Sequence, residues 1–230
     1  DGEAGGRHNP EVTMLEWYRV GWDHLRLAEE TIALVRAALA LVDREVRVEH
    51  RSFEALYRER LGIDPFRDGI DTLRAALGEV RIDPEGLRRD DWLDLLMTHR
   101  LQPTFERDVL WVVRDWPASQ CALAKIRRAG GGEAHDVAER FELYLGPLEL
   151  ANGYHELTDA AEQRTRFARD LQVRAERGAD TPPMDARLLA ALASGLPACA
   201  GVALGIERLL MAMLGTERIA DTLAFDFARA

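Results

Sequence analysis

Glu149-Leu150-Ala151-Asn152-Gly153-Tyr154-His155-Glu156 is the stretch on which the fold turns. Its two carboxylates stand seven positions apart, with a turn-prone Asn-Gly pair between them. Before it, Val137, Phe141, Leu143 and Leu145 fall on one parity and Arg140, Glu142 and Tyr144 on the other, the period-two pattern of a half-buried strand. After it, Asp159 followed three residues later by Glu162 signals the start of a helix. Both carboxylates are therefore expected on or beside sheet strands, where a rigid backbone aims them. Held close together they repel, unless a cation or an ammonium group stands between them. This predicts a divalent-metal or amine site; the competing reading is a solvated hairpin with two surface acids.

The 230 residues suffice for one large domain or two small ones. At 47% hydrophobic and 30% charged, the composition is that of a soluble globular chain. No apolar run reaches membrane-spanning length and no signal peptide opens the sequence. A cytoplasmic setting is expected, with Cys121 and Cys199 as small apolar residues. The net charge of -10 argues against broad nucleic-acid binding, which needs a basic footprint. Arginine supplies nearly all the positive charge, Lys125 being the only lysine.

Upstream, residues 1–10 form a polar, glycine-rich loop, and residues 11–20 read as a strand. There Glu16 and Tyr18 share a face with Val12 and Met14, which suits a pocket wall. Residues 22–42 are a helix packed through Leu25, Ala28, Ile32, Val35, Leu39 and Val42. A helical insertion follows at about residues 50–105, with helices near 52–61, 66–79 and 86–100 set off by Asp64-Pro65 and Asp83-Pro84. In it, Trp92 and His99 are expected to be structural. Residues 109–113 form an apolar strand, followed by a small-residue turn and a helix through Ile126. Residues 127–133 form a charged, glycine-rich loop; 177–183 are a linker and 184–193 a helix. Gly201 to Arg208 is a glycine-bearing strand feeding a helix, where a nucleotide can approach the backbone and an arginine can meet phosphate. It is neither a Walker loop nor a dinucleotide fingerprint.

Residues 7–16 (Arg-His-Asn-Pro-Glu-Val-Thr-Met-Leu-Glu), Glu149 to Glu156 and Gly201 to Arg208 together resemble the catalytic core of class II lysyl-tRNA synthetases, the first as the motif 2 loop and strand, the last as motif 3. With Pro117-Ala-Ser-Gln120, Ala138-Glu-Arg-Phe-Glu142 and Cys199-Ala-Gly-Val-Ala-Leu-Gly205, the likeness sharpens to the elongation factor P lysine ligases, synthetase paralogues without an anticodon-binding domain. This implies an α+β fold, a six-stranded antiparallel sheet flanked by helices, in a single core spanning residues 1–230, and a homodimer. It implies ATP-dependent activation of (R)-β-lysine as an adenylate and transfer to a lysine of elongation factor P. Carried over by position, Asn9, Glu149, Leu150, Gly205 and Arg208 would serve ATP, with Glu149 and Arg208 catalytic. Tyr18 and Glu156 would hold lysine or β-lysine, with Glu16 as an alternative partner of the amine. Glu149 and Glu156 would share Mg²⁺.

Three departures from the pattern stand out. The chain starts within motif 2, so it is expected to be N-terminally incomplete, lacking motif 1 and the α-phosphate arginine. Val12 stands where an adenine-stacking Phe is usual, and Ala203 replaces the middle glycine of motif 3. A protein acceptor is expected rather than tRNA, and no membrane partner. The alternatives are a lysyl-tRNA synthetase core and an inactive synthetase-like binding module.

Overall fold

The computed structural model describes residues 9–130 and 134–226. Arg7 and His8 of the first motif, and residues 131–133 of the glycine-rich loop, lie outside them. Among the described residues, seven strands make one sheet in the order β1 (Met14–Val20), β7 (Cys199–Gly205), β6 (Leu148–His155), β5 (Val137–Leu145), β3 (Val109–Pro117) and β2 (Arg47–Ser52), with the short β4 (Ile126–Arg127) paired to β5. Neighbours run antiparallel except β2 and β3, which are parallel. The expected α+β sheet flanked by helices is present, with a seventh strand and a parallel edge that the six-stranded antiparallel expectation lacks.

Helices α1 (His24–Ala40) and α7 (Ile206–Leu214) cover one face of the sheet, over Phe141, Leu143, Val202 and Leu204. On α1 the buried stripe runs through Leu27, Ala28, Ile32, Val35 and Leu39; the expected Leu25 and Val42 are exposed. Helices α2 (Phe53–Leu61), α3 (Ile70–Leu77) and α4 (Arg89–Leu96), between β2 and β3 in sequence, cover the other face. Their Phe53, Tyr57, Leu93 and Leu96 pack on Trp111, Val113 and Tyr144, each contributing roughly 1.5–3 kcal/mol by leaving water. Trp92 is part of this core, whereas His99 is exposed. The second layer stops at β5 and the end of β6, so the same face of β7 and β1 is left without a helix over it. Asp64 and Asp83 each accept hydrogen bonds from backbone N–H groups two residues on, as the Asx-Pro turns require. Helices α5 (Ala160–Glu176), N-capped by Asp159, and α6 (Ala186–Ala193) complete the fold. No helix among the described residues is long and apolar enough to cross a membrane. Both thiols are pushed up by burial, in keeping with inert cysteines.

Two local expectations fail for identifiable reasons. Residues after Gln120 do not form a helix through Ile126. Ala122 takes a left-handed conformation, and the backbone of Leu123 and Lys125 pairs with Leu157 and His155 at the end of β6. Asn152-Gly153 is no turn but mid-strand; the hairpin is made at Gly146, φ 54°. Gly153 is a glycine because a Cβ there would lie 2.3 Å from Cε1 of Phe141. The strand is also not regular. Tyr144 pairs with Glu149 but Leu143 with Ala151, so Leu150 is the extra residue of a β-bulge.

Gly153→Ala is expected to lower stability by about 1–3 kcal/mol, the usual cost of overpacking. In urea titrations, Phe141→Leu combined with it should cost less than the two single changes added; strict additivity would remove the ring as the cause.

Candidate active site

Residues seven apart on a regular strand face opposite sides of a sheet. The bulge at Leu150 breaks that parity and brings Glu149 to the face of Asn152, Tyr154 and Glu156. Across the sheet this face runs in rows: Glu16, Ala203, Asn152 and Glu142 form one, and Tyr18, Gly201, Tyr154 and Arg140 the next. Gly201, Ala203 and Gly205 alternate along β7 and give these rows a low floor.

One end of the face suits anions. Arg208, in the first turn of α7, donates through Nη1 to the Glu149 carbonyl at 3.0 Å and stands 3.5 Å from Glu149 Oε2. A Cβ on Gly205 would meet only the Arg208 side chain, at 3.7 Å. Nothing described in the protein thus requires a glycine there. A cavity of about 470 Å³ opens at this end, lined by Asn9, Val12, Glu149, Leu150, Asn152, Gly205 and Arg208 among others. Glu207, which the sequence places beside Arg208 in the helix start, turns elsewhere and accepts from the Thr13 N–H at 2.9 and 3.1 Å. Ile206 N–H in turn donates to the Thr13 carbonyl. Burial works to raise the Glu207 pKa, but the Thr13 donor outweighs it and holds the carboxyl below its usual range. The segment leading into β1 is thereby fastened to α7.

The other end suits a cation. Glu156 and Tyr18 close over Gly201, where a Cβ would lie 2.3 Å from Glu156 Oε1 and 2.5 Å from Tyr18 Cε1. Burial pushes Glu156 up to about 7. It also raises the Tyr18 phenol, helped by the charges of Glu156 and Glu16. Asn152 Oδ1 is buried with no partner among the described residues.

Beside the cavity a second recess of about 390 Å³ shares Glu149 with Asp94, Arg140, Glu142 and Tyr144. Glu142 accepts from both Arg140 and Tyr144, yet its burial still raises its pKa. Asp94 is pushed up to about 6 by burial.

The structure brings Asn9, Glu149, Leu150, Gly205 and Arg208 together around one cavity, and Tyr18 with Glu156 beside Gly201. It does not bring Glu149 and Glu156 to one ion: they lie at the two ends of one strand, on the order of 20 Å of extended chain apart. Glu16 is exposed on β1. Sequence reading passed over Asn152 and Tyr154, whose signal was their shared parity with Glu156.

A mixed, largely antiparallel sheet with one half-open face, a glycine-bearing strand running into an arginine-led helix, and a carboxylate-bearing strand beside it define a class II synthetase-like domain. The chain belongs to the family of class II tRNA synthetases (D, K and N), whose model matches residues 2–229. Within it, the chain is 44% identical over 232 residues to a Salmonella gallinarum protein named elongation factor P–(R)-beta-lysine ligase, covering 99% of this chain and 69% of that one. The protein of the same name from Pectobacterium atrosepticum is 42% identical over 231 residues, with the same coverage of each chain.

The Glu156 shift has a testable sign. Its folded pKa, about 7, lies above the ordinary 4.5, so the folded state holds the proton more tightly than the unfolded chain. Stability therefore declines as pH rises between those values and is flat above. Glu156→Gln is expected to stabilise the protein by about 1–2 kcal/mol near pH 8, after allowance for solvent screening, and hardly at all near pH 4.5. Equal effects at both pH values in denaturant titrations would show that Glu156 is not desolvated.

Proposed function

We propose that this protein activates (R)-β-lysine with ATP as an aminoacyl adenylate and passes the aminoacyl group to a lysine side chain of elongation factor P. The observation that carries this reading is the layout of one sheet face, with an arginine–carboxylate pair beside a glycine at one end and a half-buried carboxylate beside a tyrosine at the other. The first end suits a polyphosphate, the second an ammonium group. The names of the relatives support the same substrates.

In the first half-reaction a substrate carboxylate oxygen bonds to the α-phosphorus and pyrophosphate leaves. In the second, the acceptor's ε-amine bonds to the acyl carbon, loses a proton, and AMP leaves. Neither step demands a nucleophile from the protein; positioning and charge neutralisation dominate. In this reading Asn9, Leu150 and Gly205 receive ATP, and Arg208 pairs with phosphate or packs on the adenine. Tyr18 and Glu156 hold the substrate amine, and Asn152 Oδ1 accepts from it. Glu149, about one-third exposed, faces the cavity as a single carboxylate, and one carboxylate plus substrate phosphate oxygens is a habitual Mg²⁺ environment. A bound Mg²⁺ would neutralise phosphate charge there. The protein is read as a cytoplasmic homodimer. A net charge of -10 suits a protein acceptor better than tRNA, whose phosphates must be neutralised.

Glu149→Gln is expected to abolish β-lysine-dependent ATP–pyrophosphate exchange, and unchanged exchange would take Glu149 out of the mechanism. Gly205→Ala should leave the melting temperature unaltered and raise the KM for ATP about tenfold, since its methyl group touches the protein only at ordinary contact distance, on Arg208, while taking space at the cavity. In a filter assay with both acceptors, radiolabelled β-lysine should reach elongation factor P and no tRNA. Charging of tRNA with α-lysine would establish a synthetase instead, and binding of elongation factor P without any adenylation an inactive module.

A further inference from the structure

The opposite face of the sheet carries a second convergence of ligand atoms. His24, in the first turn of α1, is 2% exposed, and neither of its ring nitrogens has a hydrogen-bond partner among the described residues. Buried polar groups are nearly always paired, so two orphaned nitrogens on one ring require an explanation. The ring is aimed at Glu139 on β5 and His155 at the end of β6, and one ligand atom from each of the three lies within 4.8 Å of the others. His155 Nδ1 and Glu139 Oε2 already face each other at 2.6 Å; an ion bonded to both at about 2.0–2.2 Å and a tetrahedral angle holds such atoms roughly 3.4 Å apart, so the pair must spread to admit it.

The chemistry of the donors is selective. Two imidazoles and one carboxylate, with a further position open, form a donor set for Zn²⁺ and its first-row neighbours, rather than for Mg²⁺ or Ca²⁺. Asp115 and Asp23 add negative charge nearby, while Arg127 pairs with Asp115 and Glu139. Lys125 Nζ stands 3.2 Å from His155 Nε2. An ion on Nδ1 would leave the proton on Nε2, so Lys125 must then swing aside. The other cluster of possible ligands, Glu54, Asp64 and His135, is less suited, because Asp64 already accepts from Phe66, Arg67 and Arg58.

We infer that His24, Glu139 and His155 form a binding site for a divalent transition metal of the Zn²⁺ class, which clips the start of α1 to the strand end leading into Glu156. The test is a titration of the chelator-stripped protein with Zn²⁺ by calorimetry, and with Co²⁺ by its visible d–d absorption. One equivalent should bind and raise the melting temperature. His24→Ala should weaken binding by more than about tenfold, the low end of what losing even a supporting partner of a metal site costs. Glu139→Gln, nearly isosteric, should do the same with the fold checked by circular dichroism, while Lys125→Met and His135→Ala should keep the site. Absence of stoichiometric binding to the wild-type protein, full affinity in His24→Ala, or loss of the ion in His135→Ala would each overturn the inference.

Discussion

The site depends on one irregularity of backbone pairing, the bulge at Leu150. An unbroken strand would send Glu149 into the core beneath α1 and α7, where an ionised carboxylate without a partner is prohibitively costly. The extra residue turns Glu149 to the face of Asn152, Tyr154 and Glu156, and seats Leu150 among the buried apolar side chains in its place. Arg208 then reads the bulge directly: its hydrogen bond goes to the carbonyl of Glu149 itself, at the point where the ladder is interrupted. A bulge leaves backbone groups unpaired; here the helix that supplies the arginine satisfies one of them. The position of the carboxylate and the position of the arginine are thus one constraint.

The second constraint is unequal coverage. Both faces of β3 and β5 are buried, β7 is covered on one face, and of β1 only Trp17 packs against the core on that side, the rest of the strand being exposed. The helices between β2 and β3 end in a wall, and at its foot Arg140 and Glu142 are kept in contact by burial as much as by their own attraction, with Asp94 beside them accepting from Gln120. A guanidinium 4.3 Å from the Trp116 ring centre, donating to Glu142 and to the Gln120 carbonyl, is fixed in direction. Removing one partner from such a group leaves a buried charge uncompensated, which makes the wall rigid. Rigidity beside an open floor is what a reaction governed by positioning requires.

Much of this was legible beforehand. The alternation in β5, the cap at Asp159, the stripe through Ile32, Val35 and Leu39, and the glycine strand before Arg208 are local patterns that placed individual strands and helices, while the α+β fold and the family followed from the resemblance of the motifs at residues 7–16, 149–156 and 201–208. What escaped depends on partners distant in sequence. Asn-Gly is a turn signal unless an aromatic ring from the next strand occupies the space of the missing Cβ, as Phe141 does at Gly153. Residues 121–126 have helical composition, but their backbone is claimed by the end of β6. Glu207 and Arg208 look equivalent as neighbours in a first turn; one points back to Thr13 and the other across to Glu149. A shared Glu149–Glu156 ion was inferred from nearness in sequence, and an extended strand converts that nearness into distance.

Glycines on or beside the site face show why residue type alone underdetermines a site. Gly153 is required by a ring from the neighbouring strand, and Gly201 by Tyr18 and Glu156 folding over it. In both, the protein itself fills the space of the absent side chain. At Gly205 the nearest atoms sit at ordinary contact distance, so the protein leaves that space unused. Sequence presents Gly201 and Gly205 as a pair four residues apart on one strand. The structure separates them by what occupies the Cβ position: a side chain that belongs to the substrate end in one case, and room for a ligand in the other. The face is therefore asymmetric along β7, closed by protein groups where an amine suits it and open where a nucleotide does.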